Sequence, residues 1–189
     1  MKKIPGMIEG KELLKLIRLR QSDRSYRNKF VENDKVERII EAARMAPSAC
    51  NAQPWKFIIV DDPVLLKGLA KAASAGITGM NKFVEQAPVL IAVIREKANL
   101  SSRIGANIKR KDYSLIDIGI ASEHICLQAA AEGLGSCMIG WFDEKKVMEL
   151  LKVPASKRVE LLITLGYPAK DTREKRRKPE EETVSRNKY

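Results

Sequence analysis

The stretch from Ser114 to about Glu132 constrains this chain more than any other. It carries Ile116, Ile118, Ile120, Ile125, Cys126, Leu127 and four alanines, with apolar residues on nearly all sides of a helical projection. A helix with no polar face has to be covered all round. The chain has 189 residues, enough for one compact domain, and 44% of them are hydrophobic, enough to build a sizeable core. The expectation is therefore a central helix, capped by Ser114, lying between a sheet and a partner chain.

The rest of the pattern supplies the sheet. Trp55 to Val60 is β-branched and aromatic, Pro88 to Arg95 is a continuous apolar run of the buried kind, and Ser136 to Ile139 and Val159 to Leu165 read as two further strands. Helical periodicity marks Glu9 to Arg20, a helix opened by the capping-box pair Asp34 and Glu37, Val64 to Ala75, a short piece over Met80 to Gln86, and a helix starting at Asp143. Glu96 to Lys111 lacks periodicity and reads as a loop of the length often used as a lid. Helices and strands alternate only loosely, without a regular βαβ series, and no repeat or inter-domain linker interrupts them.

Several chemistries are excluded at once. His124 is the single histidine, so HExxH zinc hydrolysis and bis-histidine haem ligation are impossible. Among apolar neighbours, its ring fits a hydrogen-bonded structural or interface role. Cys50, Cys126 and Cys137 form no C-x-x-C pair, which argues against a disulfide framework or structural zinc and favours a reducing cytoplasm. The apolar runs fall short of the ~20 residues that span a bilayer, and no secretory signal follows Met1. Gly133-Leu134-Gly135 follows a helix and meets Met138 where a dinucleotide fingerprint needs its third glycine, so it fits a helix C-cap better than a phosphate turn.

The charge balance, 35 Lys and Arg against 24 Asp and Glu for a formal +11, asks for an anionic partner. Three polar segments could carry the chemistry. Asp23-Arg24-Ser25-Tyr26-Arg27 offers guanidinium forks and a hydroxyl that match phosphate oxygens, although a solvated basic loop has the same composition. The proline-stiffened loop from Pro47 to Trp55 presents Ser48, Asn51 and Gln53 as donors and acceptors for a polar ring edge; its prolines could equally just stop a helix and start a strand. Arg173 to Lys178 is either a solubilising or nucleic-acid-binding tail, or a source of cations for the anion held by Arg24 and Arg27.

Taken in order, these segments resemble the FMN-dependent nitroreductase family from about Glu9 to Val184. The match consists of R-S-x-R at Arg24 to Arg27, A-P-S-x-x-N-x-Q-P-W-x-F at Ala46 to Phe57, the central helix with its G-L-G-S end from Ile116 to Ser136, I-G at Ile139-Gly140, and L-G-Y-P at Leu165 to Pro168 with R-R-K-P at Arg176 to Pro179. The resemblance implies an α+β fold with a central mixed, mostly antiparallel sheet flanked by helices. It also implies a single FMN-binding domain over 1–189, whose tail from 167 to 189 wraps the partner subunit of an intertwined homodimer. Two FMN molecules would lie at the interface. NADH or NADPH would reduce the flavin, and a nitroaromatic, quinone or related small-molecule acceptor would reoxidise it. No metal, nucleic acid or membrane enters that scheme.

By the same resemblance, Arg24, Ser25 and Arg27 hold the FMN phosphate with Lys175 and Arg177, while Pro47, Ser48 and Asn51 approach the flavin of the neighbouring subunit. Lys82, with Asn81, lies near the pyrimidine edge, where a cation would stabilise reduced flavin. Ile139 and Gly140 lie at the ring, with the Gly140 backbone N–H as donor to flavin N5, the atom that receives hydride. The chain departs from the pattern at Asp23, where many members are basic. A carboxylate beside a phosphate must point away or pair with Arg24, which favours Arg27 over Arg24 as the phosphate ligand. Cys50 occupies a variable position and is expected to be a small filler. Two other readings are a flavin carrier without reductase turnover and a basic nucleic-acid-binding module; scarce aromatics and the lack of a recognisable binding motif weigh against the second.

Overall fold

The centre of the molecule is strand β2 (Val89–Arg95), the apolar run expected from the sequence, which is buried along almost its whole length. A computed structural model describes residues 8–74, 80–97 and 112–189. β2 lies between β1 (Trp55–Val60) and β4 (Arg158–Gly166), and β4 also pairs with β3 (Gly135–Ile139), giving the order β1-β2-β4-β3. All three pairings are antiparallel. Among the described residues the sheet is thus antiparallel and not mixed as the family likeness implies, the one parallel contact being an isolated bridge from Ser22 to Ser136 of β3.

A strand turns alternate side chains to opposite faces, so β2 needs cover on both. Leu90, Ala92 and Ile94 pack with α3 (Pro63–Ser74) and the short 3-10 segment Lys82–Gln86. Val89, Ile91 and Val93 pack with α2 (Asn33–Arg44) and α4 (Tyr113–Ala131). α1 (Gly10–Leu19) buries none of its residues, and α5 (Glu144–Leu150) sits against α3.

α4 is the all-round apolar helix. Its inner side, including Ile118, Ala121, Ile125 and Ala129, is buried, while Leu115 and Ile116 are open to solvent in the single chain. Its cap is Asp112, which accepts the Ser114 N–H at 3.0 Å, and not Ser114 itself. Arg95 fixes that end by pairing with Asp112 at 2.7 Å and with Glu160 at 2.8 Å. The Asp34–Glu37 capping box also does not form: Glu32 occupies the N-cap position of α2 without a side-chain cap, and Asp34 inside the helix pairs with Arg38. Local spacing alone cannot distinguish a box from a charge two positions further in. Asp143 does cap α5, accepting the Lys146 N–H at 3.0 Å.

Gly133, at φ +74°, ends α4 in the left-handed region, as the C-cap reading requires. Gly135 has a different cause: a Cβ there would stand 2.6 Å from the Asp23 carboxylate. His124 Nδ1 lies 3.0 Å from the Ala42 carbonyl oxygen, a hydrogen bond across the contact of α2 and α4 that matches its expected structural role.

Candidate functional site

Residues 22–27 are laid across the end of the sheet by backbone pairing. The Asp23 N–H donates to Ser136 O at 2.9 Å, the Arg27 N–H to Tyr167 O at 2.8 Å, and the Ala169 N–H to Ser25 O at 3.0 Å. Tyr26 anchors the segment from below. Its buried hydroxyl donates to Asp23 O at 2.8 Å and shares a 2.6 Å hydrogen bond with the Thr164 hydroxyl, and burial pushes its phenol pKa upward. Asp23 and Tyr26 are the buried residues of this segment, and Arg24 and Arg27, which follow them, are left exposed.

Asp23 settles its conflict with a phosphate by turning inward. It is buried against Gly135 and accepts from Gln21 Nε2 at 2.9 Å, and no ion pair with Arg24 forms among the described residues. Burial raises its pKa, an effect opposed by the Gln21 hydrogen bond and by the charge of Arg173. The carboxylate therefore does not disqualify Arg24.

The basic tail folds back onto this segment. Arg173 donates its backbone N–H to Gln21 Oε1 at 3.1 Å and its guanidinium to Ser22 O at 2.9 Å. Lys175 Nζ donates to Ile17 O at 2.7 Å and to Arg20 O, capping the carbonyl end of α1. The result is a cavity of about 620 Å³ lined by Arg20, Gln21, Ser22, Arg24 and residues 173–177. Six of those residues are cations, and Glu174 is the lone carboxylate. Burial lowers the Lys175 pKa, and the nearby charges of Arg20 and Arg177 lower it further. Such crowding is unfavourable for an empty site and favourable for one that receives an anion.

The structure thus brings Arg24, Lys175 and Arg177 together, joins to them Arg173 from the basic run already singled out, and adds Arg20 and Gln21, which sequence reasoning passed over. Arg20 read only as the last residue of a helix and Gln21 as a polar residue after it, and the tail residues that join them lie about 150 positions away. Ser25 lines a smaller adjoining cavity with Gln21, Asp23, Arg24 and Arg173. Arg27 is not in the cluster. It donates to Pro168 O at 3.0 Å and lines a separate groove of about 690 Å³ beside α3, with Lys67, Lys71 and Pro88.

Gly140 follows the edge strand β3 with its backbone exposed, and Ile139 before it is buried. Asn81 commits its amide group to two carbonyls, Ala73 O at 3.1 Å and Trp141 O at 2.9 Å, and so fixes the residue after Gly140 to the end of α3. Lys82 beside it is exposed.

The loop carrying Pro47, Ser48 and Asn51 lines none of these cavities and sits on α4, where the Ala49 N–H donates to Asp117 Oδ1 at 3.1 Å. Cys50 in this loop is exposed with φ +52°, so it fills no buried space. Most of the expected lid, residues 98–111, lies outside the described residues.

Comparison with known proteins decides the family. The nitroreductase family model matches residues 17–79 and 77–167. The chain belongs to the nitroreductase family. This nitroreductase-family protein is 32% identical to the oxygen-insensitive NADPH nitroreductase of Helicobacter pylori (strain ATCC 700392 / 26695), over 79% of this chain and 84% of that protein. Among solved structures, a nitroreductase family protein from Clostridium novyi NT shares 34% identity at a TM-score of 0.71, covering 82% of this chain and 84% of its own. An FMN-dependent nitroreductase from Clostridium difficile R20291 shares 28% identity at a TM-score of 0.76, covering 93% and 99%. Among the described residues, no helix is long and apolar enough to cross a membrane.

Proposed function

We propose that the protein is an FMN-dependent oxidoreductase that takes reducing equivalents from NADH or NADPH and delivers them to a nitroaromatic, quinone or related acceptor in two half-reactions. The observation that carries this reading is the convergence of six cations on one cavity in a chain of this family. The flavin supplies the redox chemistry when bound, so the protein's task is position and electrostatics. Arg24, Lys175 and Arg177 hold the phosphate, with Arg20 and Arg173 adding positive potential and Ser25 a hydroxyl from the adjoining cavity. Gly140, exposed after β3, would offer its backbone N–H to flavin N5, with buried Ile139 before it and Asn81 fixing the residue after it. Lys82 places positive charge at the pyrimidine edge, and Arg27 extends the cationic surface away from the phosphate.

Pro47, Ser48 and Asn51 belong to the site of the neighbouring subunit in a homodimer. Two observations support this: the loop stands apart from its own chain's cation cavity, and the outer faces of α1 and α4 are apolar and exposed. The tail beyond Pro179 wraps the partner, since residues 169–175 are already bound to their own chain and those after 179 are exposed.

The test is an anaerobic titration of the purified protein. The expected result is a yellow protein with about one FMN per chain, bleached by NADH or NADPH and recoloured by a nitroaromatic or quinone. A protein that binds no FMN on reconstitution overturns the reading. One that bleaches but passes nothing to any acceptor is a carrier.

A further inference from the structure

The loop after Pro47 adopts a conformation its residues do not favour. Cys50, Asn51 and Gln53 have φ of 52°, 50° and 46°, so three of four consecutive residues are left-handed and none is glycine. Such a run persists only where its surroundings hold it. Part of the support is internal: the Gln53 N–H donates to Ser48 Oγ at 2.9 Å, and Gln53 Nε2 to Asn51 Oδ1 at 3.1 Å. A tie to the rest of the fold runs from the Ala49 N–H to Asp117 Oδ1, 3.1 Å away on α4.

Asp117 is an odd residue for that place. It is only 4% exposed, the one buried charged residue of that helix, and its Oδ2 is buried with no hydrogen-bond partner among the described residues. A buried carboxylate held by a single backbone donor is expensive, and an aliphatic side chain would pack there at less cost. What the carboxylate holds, the Ala49 N–H and with it the loop, gives it a role that stability does not.

We infer that Asp117 is a positioning residue: by accepting the Ala49 N–H it fixes the left-handed 48–53 loop in the form that meets the flavin of the neighbouring subunit. The inference rests on the proposed FMN function for the flavin part and on the structure alone for the loop part.

The experiment uses the full chain with Asp117→Ala and Asp117→Asn, the second keeping an acceptor oxygen for Ala49. Hydrogen exchange is followed in the flavin-free protein for amides 49–53 and, as a control for global unfolding, for β2. FMN affinity is measured by fluorescence quenching. Asp117→Ala is expected to lose about tenfold of the loop protection with β2 unchanged, and to weaken FMN by about tenfold. Asp117→Asn should restore most of both. Loop protection at the wild-type level in Asp117→Ala overturns the inference, as does an Asn variant as impaired as the Ala variant. Should the wild-type protein bind no FMN, the functional reading fails, while the exchange data still decide whether Asp117 holds the loop.

Discussion

At the scale of single residues, the cation cluster makes the sharpest claim. Arg24 and Arg177 line the cavity and Arg27 does not, so inorganic phosphate separates them where FMN would not. Replacing Arg24 or Arg177 by Ala should cost about 1.5–3 kcal/mol of phosphate binding, the scale of a charge-assisted hydrogen bond. Arg27→Ala should leave phosphate affinity unchanged by isothermal titration; a loss there equal to that of Arg24→Ala would mean the anion lies elsewhere. Lys175 adds a pH signature. Its pKa is lowered by burial and by Arg20 and Arg177, and a bound phosphate restores it toward the ordinary lysine value. Phosphate binding should therefore take up a proton at alkaline pH, and affinity should fall as pH rises through the lowered pKa. Lys175→Met should abolish that dependence in titrations run in buffers of different ionisation heat. The basic identity of these residues was plain in the sequence. Their assembly followed only from the family resemblance, because Gln21 and Arg173 meet when the tail folds back, and no local pattern encodes that contact.

At the scale of elements, the sheet and its two cover layers were legible because burial imposes period 2 on strands and 3.6 on helices. β2 and α4 could be read almost residue by residue. Capping was misread because Asp34 and Ser114 have the right chemistry one or two positions away from the true ends. Gly135 shows a tertiary cause behind a local signal. Its missing side chain lets Asp23, and with it the segment bearing Arg24, lie close against β3. Gly135→Ala should destabilise the fold by ~1–3 kcal/mol in urea denaturation, the cost of overpacking, and should also weaken phosphate binding. An unaltered midpoint would show that Asp23 moves aside freely. The contact of α2 with α4 is locked by Arg38, which donates to both oxygens of Glu132 at 2.7 and 2.8 Å. That guanidinium, helped by Gln128, holds the Glu132 pKa down at about 2. A lowered carboxylate contributes stability that is present above its ordinary pKa and lost as pH falls through the lowered one. Because Arg38 is half exposed, Glu132→Gln should cost only about 1 kcal/mol at neutral pH. The difference in melting temperature should vanish near pH 2.

At the scale of the whole molecule, one chain presents a cation-lined cavity built from its own residues and an apolar face left open to solvent. Leu13, Leu14 and Ile17 of α1 are 48%, 45% and 41% exposed, and Leu115 and Ile116 of α4, against which α1 packs, are 47% and 44% exposed. Burying the exposed half of one such side chain is worth roughly 1 kcal/mol, so five of them, duplicated across a twofold, can outweigh the repulsion between two chains of formal charge +11. The two associations then respond oppositely to salt. Screening weakens phosphate binding, because opposite charges attract, and strengthens self-association, because like charges repel. Sedimentation equilibrium should find a dimer that tightens as sodium chloride is added, and Ile17→Asp or Ile116→Asp should raise its dissociation constant by about a hundredfold or more. The decisive comparison is made on the resulting monomer. Its cation cavity is built from its own chain, so inorganic phosphate should bind as in the wild type, whereas FMN should bind much more weakly for want of the neighbour's Pro47–Asn51 loop. A monomeric variant with wild-type FMN affinity would place the whole flavin site within one chain and leave the apolar face without a part in it.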